Sequence, residues 1–184
     1  MKWNLYLGRI AGIKLFMHWT FVILIGWIFL MHLRMGNSLQ DGLLGVAFVL
    51  AIFACVILHE LGHSLTARKF DISTRRITIL PIGGLASLER MPDKPGQELW
   101  VAIMGPMVNV GIALLLFILL SATGAIPSQQ ELLELQENQN GMISSGYFLF
   151  NLMIVNVFLV VFNLIPAFPM DGGRALRALI SIWT

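Results

Sequence analysis

The sequence is poor in charge. Asp, Glu, Lys and Arg make up 12% of its 184 residues, about half the share of a soluble domain. It holds one cysteine, which excludes an internal disulfide and any cysteine-ligated cluster or zinc knuckle. Twelve Lys and Arg against ten Asp and Glu leave a net charge of +2, far too little for a nucleic-acid footprint. There is no repeat with a period of 20–50 residues and no low-complexity tract. What the chain does have is apolar bulk: 57% of residues are hydrophobic and the mean hydropathy is +0.80. Those values exclude disorder and an ordinary cytosolic globule. They predict a single domain over residues 1–184, embedded in a lipid bilayer, with no nucleic-acid partner.

Four apolar runs stand against a hydrocarbon core that needs about 20 helical residues. They are Leu15–Met31, Leu43 to about Ala67, Leu99–Leu120 and roughly Tyr147–Met170. The expected fold is therefore an all-α polytopic membrane protein with about four transmembrane helices. The first run is a retained helix and not a cleaved leader, because His32-Leu33-Arg34-Met35 follows it and no small-residue cleavage site does. Before it, Trp3-Asn4-Leu5-Tyr6-Leu7 alternates weakly, as a strand or an interfacial anchor would.

Orientation follows from the basic residues. Eleven of the twelve fall on one side of such a bundle, Arg34 alone lying on the other. The excess marks the cytosolic side, which puts the N-terminus in the cytosol, and a bacterial cytoplasmic membrane is the expected location. The cytosolic connection contains Arg75–Leu88, two strand-like stretches around Pro81-Ile82-Gly83-Gly84. A small membrane-associated β-hairpin fits the β-branched residues and the turn glycines. On the other side, Gln129–Gln139 has the pattern of a short surface helix.

The second run ends in His59-Glu60-Leu61-Gly62-His63. On a helix, positions i and i+4 differ by about 40° and lie one turn apart, so both imidazoles can bind one ion. Glu60 sits about 100° around from His59, within reach of a metal's water without being a ligand itself. Two neutral nitrogens holding Zn²⁺ and a carboxylate taking a proton from water are the parts of a zinc hydrolase. A solvated helix face carries the same letters by chance in soluble proteins. Three ionisable side chains inside a membrane run, however, cost a few kcal/mol each on insertion scales and mark functional sites.

A catalytic zinc needs a third protein ligand and an open position. The candidate is Asp171, in the stretch Asn163-Leu164-Ile165-Pro166-Ala167-Phe168-Pro169-Met170-Asp171-Gly172-Gly173. Its prolines break the fourth run, and irregular backbone at membrane depth is tolerated only where it is buried or lines a cavity. The competing role for Asp171 is to cap a helix starting at Gly172. Depth separates the two. His59 lies about 24 Å along its span and Asp171 up to about 36 Å along the fourth, both counted from the outer side. A shared site near the cytosolic third of the bilayer is geometrically allowed.

Together these motifs resemble the site-2 protease family of intramembrane zinc metalloproteases. The match is carried by the His59–His63 motif, by the Asn163–Gly173 stretch, and by Gly105-Pro106-Met107-Val108-Asn109 between them, with Pro81–Gly84 similar to the family's glycine-containing hairpin. The resemblance implies Zn²⁺ held by His59, His63 and Asp171, with Glu60 as catalytic base. It implies that Asn163 orients substrate or stabilises an oxyanion, and that Gly83, Gly84 and Asn109 belong to the substrate-binding region. The implied reaction is hydrolysis of peptide bonds in or near a transmembrane segment of a membrane protein substrate. No connection is long enough for a PDZ domain, so the resemblance is to the branch without one. No CBS domain is expected either, the chain reading as minimal or truncated after the second motif, or as part of a longer protein.

Rival readings of the same residues are a non-catalytic metal-binding membrane protein, a transporter or sensor in which Glu60 is dispensable, and a membrane zinc hydrolase acting on lipid-modified tails. Cys55, one turn from His59, reads as a small buried hydrophobe. His18, Asn109, Asn151 and Asn156 read as interhelical hydrogen-bonding groups, Asn109 with the substrate-binding region as its alternative.

Overall fold

The structure is a computed structural model that describes residues 4–81, 83–90, 92, 94–137 and 147–183. Its elements run in the order β1 (Asn4–Ile10), β2 (Ile13–His18), α1 (Thr20–Arg34), α2 (Leu39–Arg68), β3 (Thr74–Leu80), β4 (Gly83–Leu88), α3 (Pro95–Thr123), α4 (Gln129–Glu137), α5 (Phe148–Asn163) and α6 (Asp171–Trp183). Two of these helices, α2 with 30 residues and α3 with 29, are long and apolar enough to cross a membrane. Their exposed surfaces are oily. Leu115 and Ile118 on α3 are 67% and 63% exposed, an arrangement suited to lipid and not to water.

The four expected spans are thus two long helices and two short ones. α1 has 15 residues and α5 has 16, about 22–24 Å of helix against a core of about 30 Å. Each is cut back by a local cause. The first apolar run loses Leu15–His18 to β2, in which Ile13 and Leu15 are buried while Lys14 is exposed. That alternation is a strand signal. The fourth run stops at Asn163, ahead of Pro166 and Pro169, which cannot donate to a helix.

The expected hairpin is one half of a larger sheet. β3 and β4 pair antiparallel as foreseen, but β2 adds to β3 in parallel and β1 to β2 antiparallel, giving the order β1-β2-β3-β4. β4 is therefore an edge strand. One face of the sheet packs on α2, where Ile13, Leu15, Leu61 and Ile77 form a buried cluster flanked by Ile57 and Ala86. A second cluster joins Cys55, Leu116 and Leu152, tying α2 to α3 and α5. Cys55 is a core residue there, contacted by Asn156 Nδ2 at 3.4 Å. His18 bonds locally to Thr20 Oγ1 at 2.7 Å. The surface helix α4 forms; the end of that expected stretch, Asn138 and Gln139, lies outside the described residues.

Candidate metal centre

The buried half of α2 presents both histidines on one side. His59 and His63 are 5% and 4% exposed, and their Nε2 atoms stand 3.1 Å apart. From the far end of the sequence, Asp171 Oδ2 lies 3.0 Å from each of them. Asp171 is the first residue of α6, so the role of helix N-terminus and the approach to the histidines coexist in one carboxylate. The loop from Leu164 to Met170 carries the chain from α5 to this point, and the buried Glu98 at the start of α3 pairs with Arg177 one and a half turns into α6. That ion pair fastens α6 to α3 and with it the position of Asp171. Nothing in the local sequence pairs Glu98 with Arg177; only the packing of α3 against α6 does.

The donor set fits a metal on its own chemistry. His63 Nδ1 is 2.6 Å from the Val101 carbonyl, which only accepts, so the Nδ1 proton is fixed there and a neutral His63 presents a bare lone pair at Nε2. That lone pair faces another on the Asp171 carboxylate at 3.0 Å, an arrangement that a cation between them relieves. Ligands at about 2.0–2.1 Å in a tetrahedron stand about 3.3–3.4 Å apart, so the three donors, 3.0–3.1 Å apart, need to spread by only a few tenths of an ångström. Three protein ligands with the fourth position open is the catalytic pattern, not the structural one.

The Gly105–Asn109 element has a steric and a bonding function here. A Cβ at Gly105 would collide with His63 Nε2 and stand 2.8 Å from His59 Nε2, so any larger residue fills the space the donors converge on. Opposite it, a Cβ at Gly62 would stand 2.6 Å from the Met104 carbonyl oxygen; the two glycines let α2 and α3 approach at the level of the site. Pro106, inside α3, has no N–H to give to the preceding turn, the turn whose Val101 carbonyl receives His63. Sequence reading singled out the Gly-Pro pair without its contacts, and missed Val101 because a backbone carbonyl leaves no letter.

The remaining expected residues fall in different places. The Glu60 carboxylate stands close enough to His59, His63 and Asp171 to interact with their charges, and it lies beside the backbone of Ala86 on β4. Gly84 lies against it, since a Cβ there would meet Glu60 Cγ at 2.6 Å. Gly83 has φ +140°, a backbone conformation that L side chains rarely adopt. Asn109 is fully buried, with its side-chain nitrogen 3.3 Å from His59 Nδ1. Asn163 ends α5 and donates from Nδ2 to the Leu159 carbonyl at 2.9 Å, a bond within its own helix.

Comparison with known proteins points to one family. Residues 47–184 match the profile of peptidase family M50. A zinc metalloprotease of Methanocaldococcus jannaschii is 38% identical over 182 residues, 98% of this chain and 47% of the relative, so the chain spans about half the length of that relative. A solved structure, a site-2 protease from Methanocaldococcus jannaschii, superposes with a TM-score of 0.68 at 35% identity, covering 97% of this chain and 72% of the other. Zinc is thus the metal named for a relative as well as the one the donor set suits. With its buried His-His-Asp cluster, apolar helices and a profile match over three quarters of its length, the chain belongs to peptidase family M50, the site-2 protease family of membrane metalloproteases.

Proposed function

We propose that the chain is an intramembrane zinc endopeptidase that hydrolyses peptide bonds in or near transmembrane segments of membrane proteins. The observation that carries this reading is the position of Glu60, beside the three-donor cluster and beneath the free edge of β4. His59, His63 and Asp171 are the ligands. A zinc ion held by them supplies Lewis-acid chemistry, polarising the scissile carbonyl and making water acidic enough to attack near neutral pH. Glu60 takes the proton of the attacking water on its carboxylate and delivers it to the leaving nitrogen. Gly84 on β4 packs against that side chain and bounds its position. Asn163, at the head of the loop that carries Asp171, steadies the substrate carbonyl through the N–H that Leu159 leaves unused.

A helical substrate hides its amides and must unwind to be cut. Among the described residues β4 has one neighbour, β3, and its other side supports strand addition by the unwound segment. In this reading Gly83 and Gly84 keep that edge close to Glu60, α1 and α5 lie in the bilayer with α2 and α3, and the basic N-terminal side faces the cytosol of a bacterial cell. Gly84→Val is expected to push Glu60 aside and to lower kcat for a single-span substrate at least about tenfold, with zinc content unchanged. Unaltered cleavage by this variant would dismiss the edge arrangement.

The reading as a whole is tested in proteoliposomes containing the purified chain and a labelled single-span membrane protein. Cleavage within or beside the span is expected, lost on treatment with a zinc chelator and restored by adding zinc. A chain that takes up stoichiometric zinc and transports it across the vesicle wall without cutting any such substrate would favour the transporter reading instead.

A further inference from the structure

Asn109 sits one helical turn beyond Gly105 on α3, on the same side of the helix. It is fully buried, its Nδ2 is 3.3 Å from His59 Nδ1, and its Oδ1 has no hydrogen-bond partner. A buried acceptor left unpaired among the described residues is costly, so the arrangement asks for an explanation. A neutral imidazole carries its proton on one nitrogen and a lone pair on the other. If His59 offers the lone pair of Nε2 to a metal, the proton is on Nδ1, and Nδ1–H needs an acceptor. The amide nitrogen of Asn109 cannot be one. Its oxygen can, and turning the amide through 180° exchanges the two atoms, an orientation fixed by hydrogen bonding and not by shape. The turned amide brings its oxygen onto the Nδ1–H of His59, so that this acceptor and this donor pair with one another. His63 is held in the same way, Nδ1 to the Val101 carbonyl at 2.6 Å.

We infer that Asn109 is a positioning residue: its amide oxygen accepts the Nδ1–H of His59, fixing the tautomer and ring orientation that point Nε2 at the metal. This rests on the ligand set proposed above, and it gives Asn109 a place behind the site instead of on the substrate path. It also explains the spacing of Gly105 and Asn109. Four residues apart on one helix face, the glycine makes room on the Nε2 side of the imidazoles while the asparagine reaches the Nδ1 side of one of them.

The test compares wild type, Asn109→Leu, Asn109→Asp and His59→Ala, each purified in detergent and stripped of metal. Zinc affinity is measured by competition with a chromophoric chelator, the ligand field by visible absorption of the cobalt form, and folding by thermal unfolding of the metal-free proteins. Removing such an outer partner of a metal-bound histidine weakens binding by about 10–100-fold. Asn109→Leu is expected to lose that much affinity, with a changed cobalt spectrum. Asn109→Asp, which keeps an acceptor at the same reach, is expected to bind zinc at least as tightly as wild type. Wild-type affinity and spectrum in Asn109→Leu would overturn the inference. So would equal losses in the Leu and Asp variants, which would assign Asn109 to packing alone. Should Asn109→Leu not fold, the Asp variant decides by itself: affinity at or above wild type supports the inference, and a loss overturns it. Wild-type zinc affinity in His59→Ala would instead remove the ligand reading on which the inference stands.

Discussion

Glu60→Gln is expected to stop peptide hydrolysis while leaving zinc uptake untouched. Glutamine has the length of glutamate and can fill the same space beside β4, but its amide does not accept a proton at neutral pH. Positioned acid–base groups contribute about 10²–10⁴-fold to rate, and in the proposed mechanism one carboxylate serves both proton transfers, so kcat should fall by at least the upper part of that range. The ligands are unaffected, because Glu60 stands beside His59, His63 and Asp171 and is not one of the three converging donors. Retained zinc with lost cleavage separates a peptidase from a transporter or sensor built on the same donors, in which the glutamate has no chemical task. Measuring turnover and metal content on the same preparation checks both halves. A variant that cuts at the wild-type rate would remove Glu60 from the mechanism, and one that loses zinc would make it part of the metal site.

The parts of this site that were legible in the sequence are those encoded by local periodicity. His59 and His63 share a helix face by their four-residue spacing, and α2 and α3 announce themselves as unbroken apolar runs. The long-range pairings were not legible. β2 pairs with β3 through Lys14 with Arg76 and Met17 with Ile79, partners sixty-two residues apart whose alternation was absorbed into the apolar run of the first span. The contact of Asn109 with His59 depends on how far α3 slides along α2, which Gly62 and Gly105 set by close approach and no single-chain pattern reveals. Asp171 lay between the two cases. Its motif suggested a helix cap or a ligand with equal local logic, and the geometry accommodates both, because a helix that begins at the site delivers its first side chain into it.

Asp171→Ala should therefore be the most damaging single change to the metal. Three donors converge within 3.1 Å, and the carboxylate is the one contributed from outside α2. Its removal leaves two neutral imidazoles, no negative charge to offset the cation, and no covalent reach from α6 into the site. Losing one of three ligands exceeds the loss of an outer-shell partner, itself about 10–100-fold in affinity, so zinc binding should weaken by more than about 100-fold and cleavage should be undetectable. Metal binding also couples to folding. On the proposed ligand set, zinc would bridge α2 and α6 and stabilise the protein by joining elements otherwise held through α3, where Glu98 pairs with Arg177. The increase in unfolding temperature on adding zinc, clear in wild type, should vanish in Asp171→Ala, whatever the loss of the helix-start carboxylate does to the metal-free protein. That comparison sets cross-linking by the metal apart from simple loss of a helix cap. A cap defect would lower the unfolding temperature of the metal-free variant and leave the zinc-dependent rise in place, and that result would return Asp171 to a structural role.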